Sequence, residues 1–337
     1  MDNNNIKYKE LNNGLIKAKN WLLKSYNTNG SFGSNFESLF YYRIPWALSL
    51  LGENYYAKNH LNWIYKKMFS KYGEFKGDYT RSPFDERYGS YPLSCLLIAA
   101  NIQQFYNITY LGAKMLFSWQ NKKYGGFYNK IITTNELVEM ELFPTCQGGM
   151  AFLNLGYIEN AIRSGDWIIN LWEQQKDIKN ILYHVTDYNN NIITDYDESM
   201  QQLYSTKKNT PWQHHFNGGI AAAFLTQLYL ATKNIKWLEY AIQYQNFSMT
   251  TSSSQFLSMQ SCKSSWGSSL LYYVTNEKKY LDWTLLFSEW FLKNQHSDGH
   301  WENTKYWLPN PKLSNNIEIT AEFIIHLSTI IKYVQFK

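Results

Sequence analysis

The sequence predicts an all-α protein, a single (α/α)6 toroid of six helical hairpins in inner and outer rings, with one small β-hairpin insert near residues 180–196. Three observations carry that expectation. Apolar residues recur at helical spacing in twelve segments. The second segment of each pair begins near residues 37, 91, 146, 215, 262 and 318, a repeat of about 55 residues with one longer interval. Connections within pairs are long, whereas those between pairs ("LLGEN", "NLGY", "LATKN", "YVTNE") are short.

Taken in order, "NGLIKAKNWLLKSY" pairs through a Gly-rich loop with "ESLFYYRIPWALSLLG", and "YYAKNHLNWIYKKMFS" pairs through "YGEFKG" with "YPLSCLLIAANIQQF". "ITYLGAKMLFSWQN" pairs through "YGGF" with "CQGGMAFLNLG", and "YIENAIRSGDWIINLWEQQ" pairs across a long insert with "HFNGGIAAAFLTQLYLAT". "IKWLEYAIQYQNF" then pairs with "CKSSWGSSLLYYVT", and "EKKYLDWTLLFSEWFLKNQ" with "IEITAEFIIHLSTIIKYV". The second helices are small and apolar, as at Gly148, Gly149 and Ala221–Ala223. The first helices carry more Lys and Glu, so the second set is expected inside and the first set outside. Within the insert, "ILYHVTDYNNNIITDY" alternates apolar and polar residues about "YNNN", the pattern of a hairpin at the rim of a cavity.

No composition break divides residues 1–337, so one domain is expected. Apolar residues make up 45%, which supports a folded core. The 28 Tyr and 13 Trp exceed what a core needs and suggest an aromatic-lined cavity. The net charge of +5 is spread along the chain without a basic stripe, so no nucleic-acid partner is expected. "MDNNNIKYKE" has no apolar leader, and no apolar run approaches about 20 residues. Three cysteines do not make a disulfide framework. A cytoplasmic protein with a small-molecule substrate and no membrane span is the expectation.

"NQHSDGHW" (294–301) places Gln295 at a helix end, Asp298-Gly299 in a tight turn and Trp301 packed back over the hairpin. Gly30-Ser31-Phe32 repeats the design, as does Gly125-Gly126-Phe127 after Trp119-Gln120, with Phe for Trp. With this Q-x-x-D-G-x-W loop and its helical hairpins, the chain resembles the terpenoid cyclase and protein prenyltransferase toroids, squalene–hopene cyclases among them. The resemblance implies the toroid and a structural role for the loop. The D-x-D-D acid of the cyclases has no counterpart: the nearest string, "DYDE" (195–198), falls in the insert. The prenyltransferase zinc motif is not evident either. Six-hairpin glycosidases, sugar epimerases and polysaccharide lyases share similar hairpins.

In such a ring the cavity opens where the inner helices begin, because their free N–H groups and positive dipole ends converge there. The candidate catalytic residues are His214, His215, Cys146 and Glu86. A histidine suits acid–base work near neutral pH, and a helix start can activate a thiol. The candidate substrate-binding residues are Arg43, Arg87, Tyr88, Gln147, Asn217, Lys263, Trp266, Glu318 and Glu322. Arginine suits an anionic group. Glu318 and Glu322, four apart, share a helix face that serves as a carboxylate pair only if it turns inward. Glu37, Asp85, Thr145 and Cys262 stand at the same helix starts, Cys95 reads as core, and His60, His184, His296, His300 and His326 read as structural. Lanthionine cyclases are similar toroids that hold zinc with two Cys and one His, which raises Cys146, Cys262 and a histidine as a metal option. Their W-C-x-G and C-H-G signatures are not here, and no metal or other cofactor is expected.

The expected function is an enzyme whose aromatic-lined cavity performs acid–base isomerisation, cyclisation or lyase-type chemistry on a small or medium, partly apolar substrate. The alternatives are a carbohydrate-active toroid (glycoside hydrolase, sugar epimerase or polysaccharide lyase) and a non-catalytic binding protein. A polar groove with paired carboxylates would favour the carbohydrate reading, and a filled centre the non-catalytic one.

Overall fold

Burial along the helices separates the two rings. In the computed structural model, which describes residues 3–33, 41–76, 83–130, 137–257, 262–302 and 310–335, α5 (Ser90–Ile102) is buried without a break from Ser90 to Ala100. Helix α10 (Phe216–Thr232) is likewise buried from Phe216 to Thr226. A helix with no polar face belongs inside. These two share the inner ring with α2 (Ile44–Leu50), α7 (Leu142–Asn154), α12 (Cys262–Thr275) and α14 (Leu313–Gln335).

The outer ring is α1 (Asn3–Lys24), α3 (Asn54–Lys67), α6 (Tyr106–Trp119), α8 (Ile158–Glu173), α11 (Ile235–Met249) and α13 (Lys278–Asn294). Helix α8 shows their character, burying Ala161, Ser164, Gly165, Trp167, Ile168 and Leu171 along one stripe. Two short helices, α4 (Pro83–Tyr88) and α9 (Gln201–Tyr204), sit in connections.

The inner ring closes. Each helix of the series α2, α5, α7, α10, α12, α14 packs on the next, and α14 packs on α2. Every inner helix also packs on the outer helix that follows it through a short connection, α2 on α3 through α12 on α13, while α14 packs back on α1. Close approach needs small residues: a Cβ on Gly219 would sit 2.4 Å from the Ser264 backbone nitrogen of the neighbouring inner helix.

The long connections repeat one device. Gly299 has φ +109°, and a Cβ there would lie 2.4 Å from the Lys17 carbonyl oxygen of α1. Gly30, Gly73 and Gly125 press in the same way on the backbone of α3, α6 and α8. Gln295 Nε2 donates to the carbonyls of Gly299 (2.8 Å) and Gly14 (2.9 Å). Gln120 Nε2 likewise serves Gly125 and Asn160. Trp301 is buried, its indole N–H donating to Phe291 and its backbone N–H to Thr320. Phe127 takes its place beside Thr145. In these two loops the glutamine ties the loop to the next outer helix, so the loop sews one hairpin to its neighbour.

The insert differs in detail from a simple hairpin. Its strands β3 (Ile181–Tyr183) and β4 (Val185–Thr186) lie on either side of His184 and take different partners. Strand β3 pairs antiparallel with β5 (Ser205–Lys207). Strand β4 pairs with β2 (Met140–Glu141), which pairs with β1 (Phe127–Tyr128). The turn over "YNNN" carries a Thr186–Ile192 bridge and is closed by hydrogen bonds from Asn189 and Asn191 to the Asp187 carboxylate. The change of partner follows from His184, whose N–H donates to Tyr204 and whose carbonyl accepts from Leu142 at the start of α7. The insert is therefore anchored at the inner-ring mouth. Among the described residues, no helix is long and apolar enough to cross a membrane.

Candidate active site

Two polar clusters occupy the ends where the inner helices begin. The first spans α2, α12 and α14. Arg43, in the turn before α2, ion-pairs with Glu318 through Nη1 and approaches Glu322 at 3.4 Å. Lys263 Nζ, in the first turn of α12, lies 2.6 Å from Glu322 Oε1. Tyr42 donates its hydroxyl to Glu318 at 3.0 Å, and Arg43 Nη2 donates to the Tyr91 hydroxyl at 2.9 Å. His326, one turn below Glu322, brings Nε2 within 3.6 Å of it. Burial pushes the Glu322 carboxyl up, but Arg43 and Lys263 together outweigh it and hold the group well below the usual carboxylate range. Burial lowers the His326 imidazole to about 4, so it is neutral near pH 7.

The second cluster spans α4, β2 and the insert. Arg87 lies 2.9 Å from Glu141 Oε2, and the Tyr88 hydroxyl donates to Glu141 Oε1 at 2.9 Å. Arg87 also donates to the Leu203 carbonyl. Burial drives the Glu141 carboxyl up to about 7, because it outweighs the single cation and Glu139 lies close by. His214 is lowered to about 4, by burial first and then by Arg87 and His215. His184 is lowered further, by burial, His214 and Arg87. The cluster therefore holds a carboxyl poised near neutrality beside two neutral imidazoles. Beside it opens a depression of about 390 Å3 lined by Glu86, Arg87, Asn129, Lys130, Leu137 and Glu139.

An aromatic strip joins the clusters. Phe143 stacks on Tyr91 with ring centres 4.4 Å apart, meets Tyr88 edge-on at 5.4 Å and meets Phe216 at 5.0 Å. His214 lies over Phe216 at 5.1 Å. Lys263 Nζ stands 5.5 Å from the Phe216 ring centre, a cation–π contact. Below this layer Trp266 packs against Trp46 and His326 and floors the mouth. On the far side of that floor lies a cavity of about 240 Å3, between the C-terminal halves of the inner helices, with Trp46, Ile98, Met150 and Trp266 in its lining.

No family model matches the chain, and no curated protein matches it in sequence. Solved structures match its fold. A D-mannose isomerase superposes with a TM-score of 0.71 at 12% identity, covering 97% of each chain. A family 76 glycoside hydrolase from a bovine Bacteroides thetaiotaomicron strain gives 0.62 at 12% identity, covering 97% of this chain and 78% of that one. The type II terpene cyclase MstE from Scytonema, bound to geranylgeranyl dihydroxybenzoate, gives 0.59 at 12% identity over 97% and 99%. At such identity the likeness establishes the α/α toroid fold and no more.

The sequence-predicted residues divide by position. Arg43, Lys263, Glu318 and Glu322 meet in the first cluster, so the Glu318–Glu322 face turns inward. Arg87, Tyr88 and His214 meet in the second. Glu86 is exposed on the rim of the depression. His215 is buried at the start of α10, near the Thr210 backbone, and Trp266 forms the floor. Gln147 and Asn217 are buried, each with one side-chain polar atom outside any hydrogen bond among the described residues. Cys146 departs from the expectation. Because α7 begins at Leu142 rather than near 146, the thiol lies past the first turn, and burial raises its pKa well above the usual value. Glu37 lies outside the described residues, as does the Asp85 side chain.

Glu141, Tyr42, Tyr91, Phe143 and Phe216 join the site without having been singled out, and His184 and His326, read as structural, stand beside it. For two of them a signal existed. Pro144 marks a helix first turn, which makes Glu141 the N-cap. His326 continues the Glu318–Glu322 spacing by another four residues. Cys262, Glu322 and His326 also bring metal-type ligand atoms within 4.8 Å of one another. Arg43 and Lys263 already neutralise that carboxylate, and burial raises the Cys262 thiol, so the group is a poor cation site.

Proposed function

We propose that the protein is an enzyme that binds a small carbohydrate at the mouth of the toroid and moves a proton on it, as a sugar isomerase or epimerase does. One observation carries this reading: two polar clusters flank the strip Tyr91–Phe143–Phe216. A sugar presents hydroxyl groups at its edge and C–H groups on its faces, so it needs donors, acceptors and a ring surface together. A hydrocarbon substrate has no use for Arg43, Lys263, Glu318 and Glu322 in one place. Two of the structural neighbours are named for carbohydrate chemistry, a D-mannose isomerase and a family 76 glycoside hydrolase.

In this reading Arg43, Lys263, Glu318 and Glu322 hold hydroxyl groups. Glu141 and His214 exchange the proton, with Arg87 and Tyr88 fixing the carboxyl. A proton carrier works best with a pKa near the working pH, which the value of about 7 supplies for Glu141. The partly apolar substrate expected from composition keeps one supporting observation, the aromatic-floored cavity at the opposite end.

The test is proton NMR of the protein with a panel of aldoses and ketoses in D2O. Isomerisation gives a new sugar with deuterium at the carbon that takes up the proton, C1 of a ketose formed from an aldose, whereas epimerisation labels the carbon that lost it. Glu141→Gln should then reduce turnover by about 10²–10⁴-fold. If none of the panel sugars binds or turns over, while an apolar ligand protects Trp266 fluorescence from quenching, the carbohydrate reading is wrong.

A further inference from the structure

Apart from the two clusters, the loop after α13 gathers a further chemical group. His296 Nε2 lies 3.6 Å from Glu302 Oε2, and His300 Nε2 lies 3.5 Å from Glu302 Oε1. The ligand atoms of all three residues fall within 4.8 Å of one another. Behind them, His300 Nδ1 is 2.6 Å from Asp298 Oδ1. With the ring proton on Nδ1 for that bond, Nε2, which faces Glu302, is the nitrogen left to ligate. Two ring nitrogens and a carboxylate then face one point.

We infer that this loop is a binding site for a divalent transition-metal ion of the zinc type, with His296, His300 and Glu302 as ligands and Asp298 as the residue that positions His300. The spacing fits: two donors each about 2.1 Å from a tetrahedral metal are roughly 3.4 Å apart. A carboxylate behind a ligating imidazole is the usual supporting contact of such sites, and imidazole ligands select zinc, copper or nickel over calcium or magnesium. The His300 ring is held between Trp21 of α1, at 4.8 Å, and His296, at 4.3 Å. His296 is exposed, with its Nε2 toward Glu302.

The site lies on a seam. Gln295 bonds the Gly14 carbonyl of α1, and His300 stacks on Trp21 of the same helix. This is where the last hairpin meets the first helix and the ring closes. A metal held here fixes the loop whose His300 and Gln295 contact α1, so binding raises the stability of the folded chain.

The test is titration of the chelator-treated full chain with Zn2+ by calorimetry, and with Co2+ by visible absorption. The expected result is one equivalent bound, with the thermal midpoint rising as it binds. His296→Ala and Glu302→Gln change exposed residues and should each weaken binding by at least about tenfold. Asp298→Asn should weaken it by about 10–100-fold. Cys262→Ser, in the buried group, should leave it unchanged. The inference falls if no saturable binding is seen, if binding persists in the His296→Ala/Glu302→Gln double variant, or if Cys262→Ser abolishes it. These readouts do not involve turnover, so they stand apart from the carbohydrate reading.

Discussion

The two clusters at the mouth use similar side chains in different ratios. In the first, Arg43 and Lys263 both reach Glu322, and the carboxyl is held well below its usual range despite burial. In the second, Glu141 has one cation, Arg87, with Glu139 nearby, and burial drives it up to about 7. Burial acts in the same direction on both carboxyls. The number of buried cations decides which one stays ionised. In the proposed reading the first cluster, a fixed lattice of charge, holds the substrate, and the second supplies the titratable group that acts on it.

The largest expected effect tests that contrast through stability. Glu322→Gln leaves Arg43 and Lys263 buried without their shared anion, and removing one partner of a buried pair costs about 3–5 kcal/mol. Arg87→Met should cost less, about 1–3 kcal/mol, because Glu141 can take up a proton once its cation is gone. Urea denaturation of both variants at pH 7 gives the comparison. Equal losses would mean that the clusters are electrostatically alike and that the difference in ionisation is wrong.

Next comes the pH dependence. The folded-state pKa of Glu141 is raised from 4.5 to about 7. A group raised by folding contributes stability that is fully present below its unfolded value and lost as pH rises through the folded one. Glu141 should therefore cost stability between about pH 4.5 and pH 7, by an amount of order 3 kcal/mol. Glu141→Gln should flatten the stability curve over that interval. Glu322 has the opposite sign: its folded pKa is depressed, so its contribution is present above 4.5 and lost only in stronger acid. Denaturation midpoints measured from pH 3 to pH 8 separate the two.

How much of this was legible in the sequence follows from the same residues. The helix pattern and the 55-residue repeat point to the ring, and the polar residues at the helix starts include Arg43, Arg87, Lys263, Glu318 and Glu322. Which of them meet was not legible, because contact depends on register around a closed ring: Arg43 and Glu318 are 275 residues apart. Glu141 was hidden by a boundary error of a few residues at α7, and element boundaries are the least certain part of any sequence reading. His184 read as structural, because only the change of partner between β3 and β4 brings its imidazole near His214 and Arg87. Phe143 and Phe216 were not singled out, because nothing in a local pattern tells an aromatic residue that lines a strip from one that fills a layer.

A smaller effect concerns His214, which lies near Arg87 and over Phe216. Its pKa is lowered from 6.5 to about 4, so folding favours the neutral ring. That contribution is present above 6.5 and lost as pH falls through about 4. The imidazole should titrate near 4 in a proton–nitrogen correlation spectrum. His214→Ala should cut turnover while leaving the urea midpoint at pH 7 within about 1 kcal/mol, since a half-buried ring at the mouth supports little of the core. A midpoint near 6.5 would mean that the ring is solvated and outside the second cluster.

The smallest effect is at Cys146, and it sharpens the contrast by marking the edge of the reactive region. This thiol is fully buried, and burial moves its pKa well above the usual value. Thiolate is the reactive form, so native Cys146 should resist iodoacetamide at pH 8 and react only on unfolding. Cys146→Ala should leave turnover within about twofold, because the side chain lies past the first turn of α7 while Glu141 caps it. Rapid labelling in the folded protein, with loss of turnover, would instead place a nucleophile where the structure has core. Proton transfer would then have to be shared between Cys146 and Glu141, and the division into a holding cluster and an acting cluster would lose its boundary.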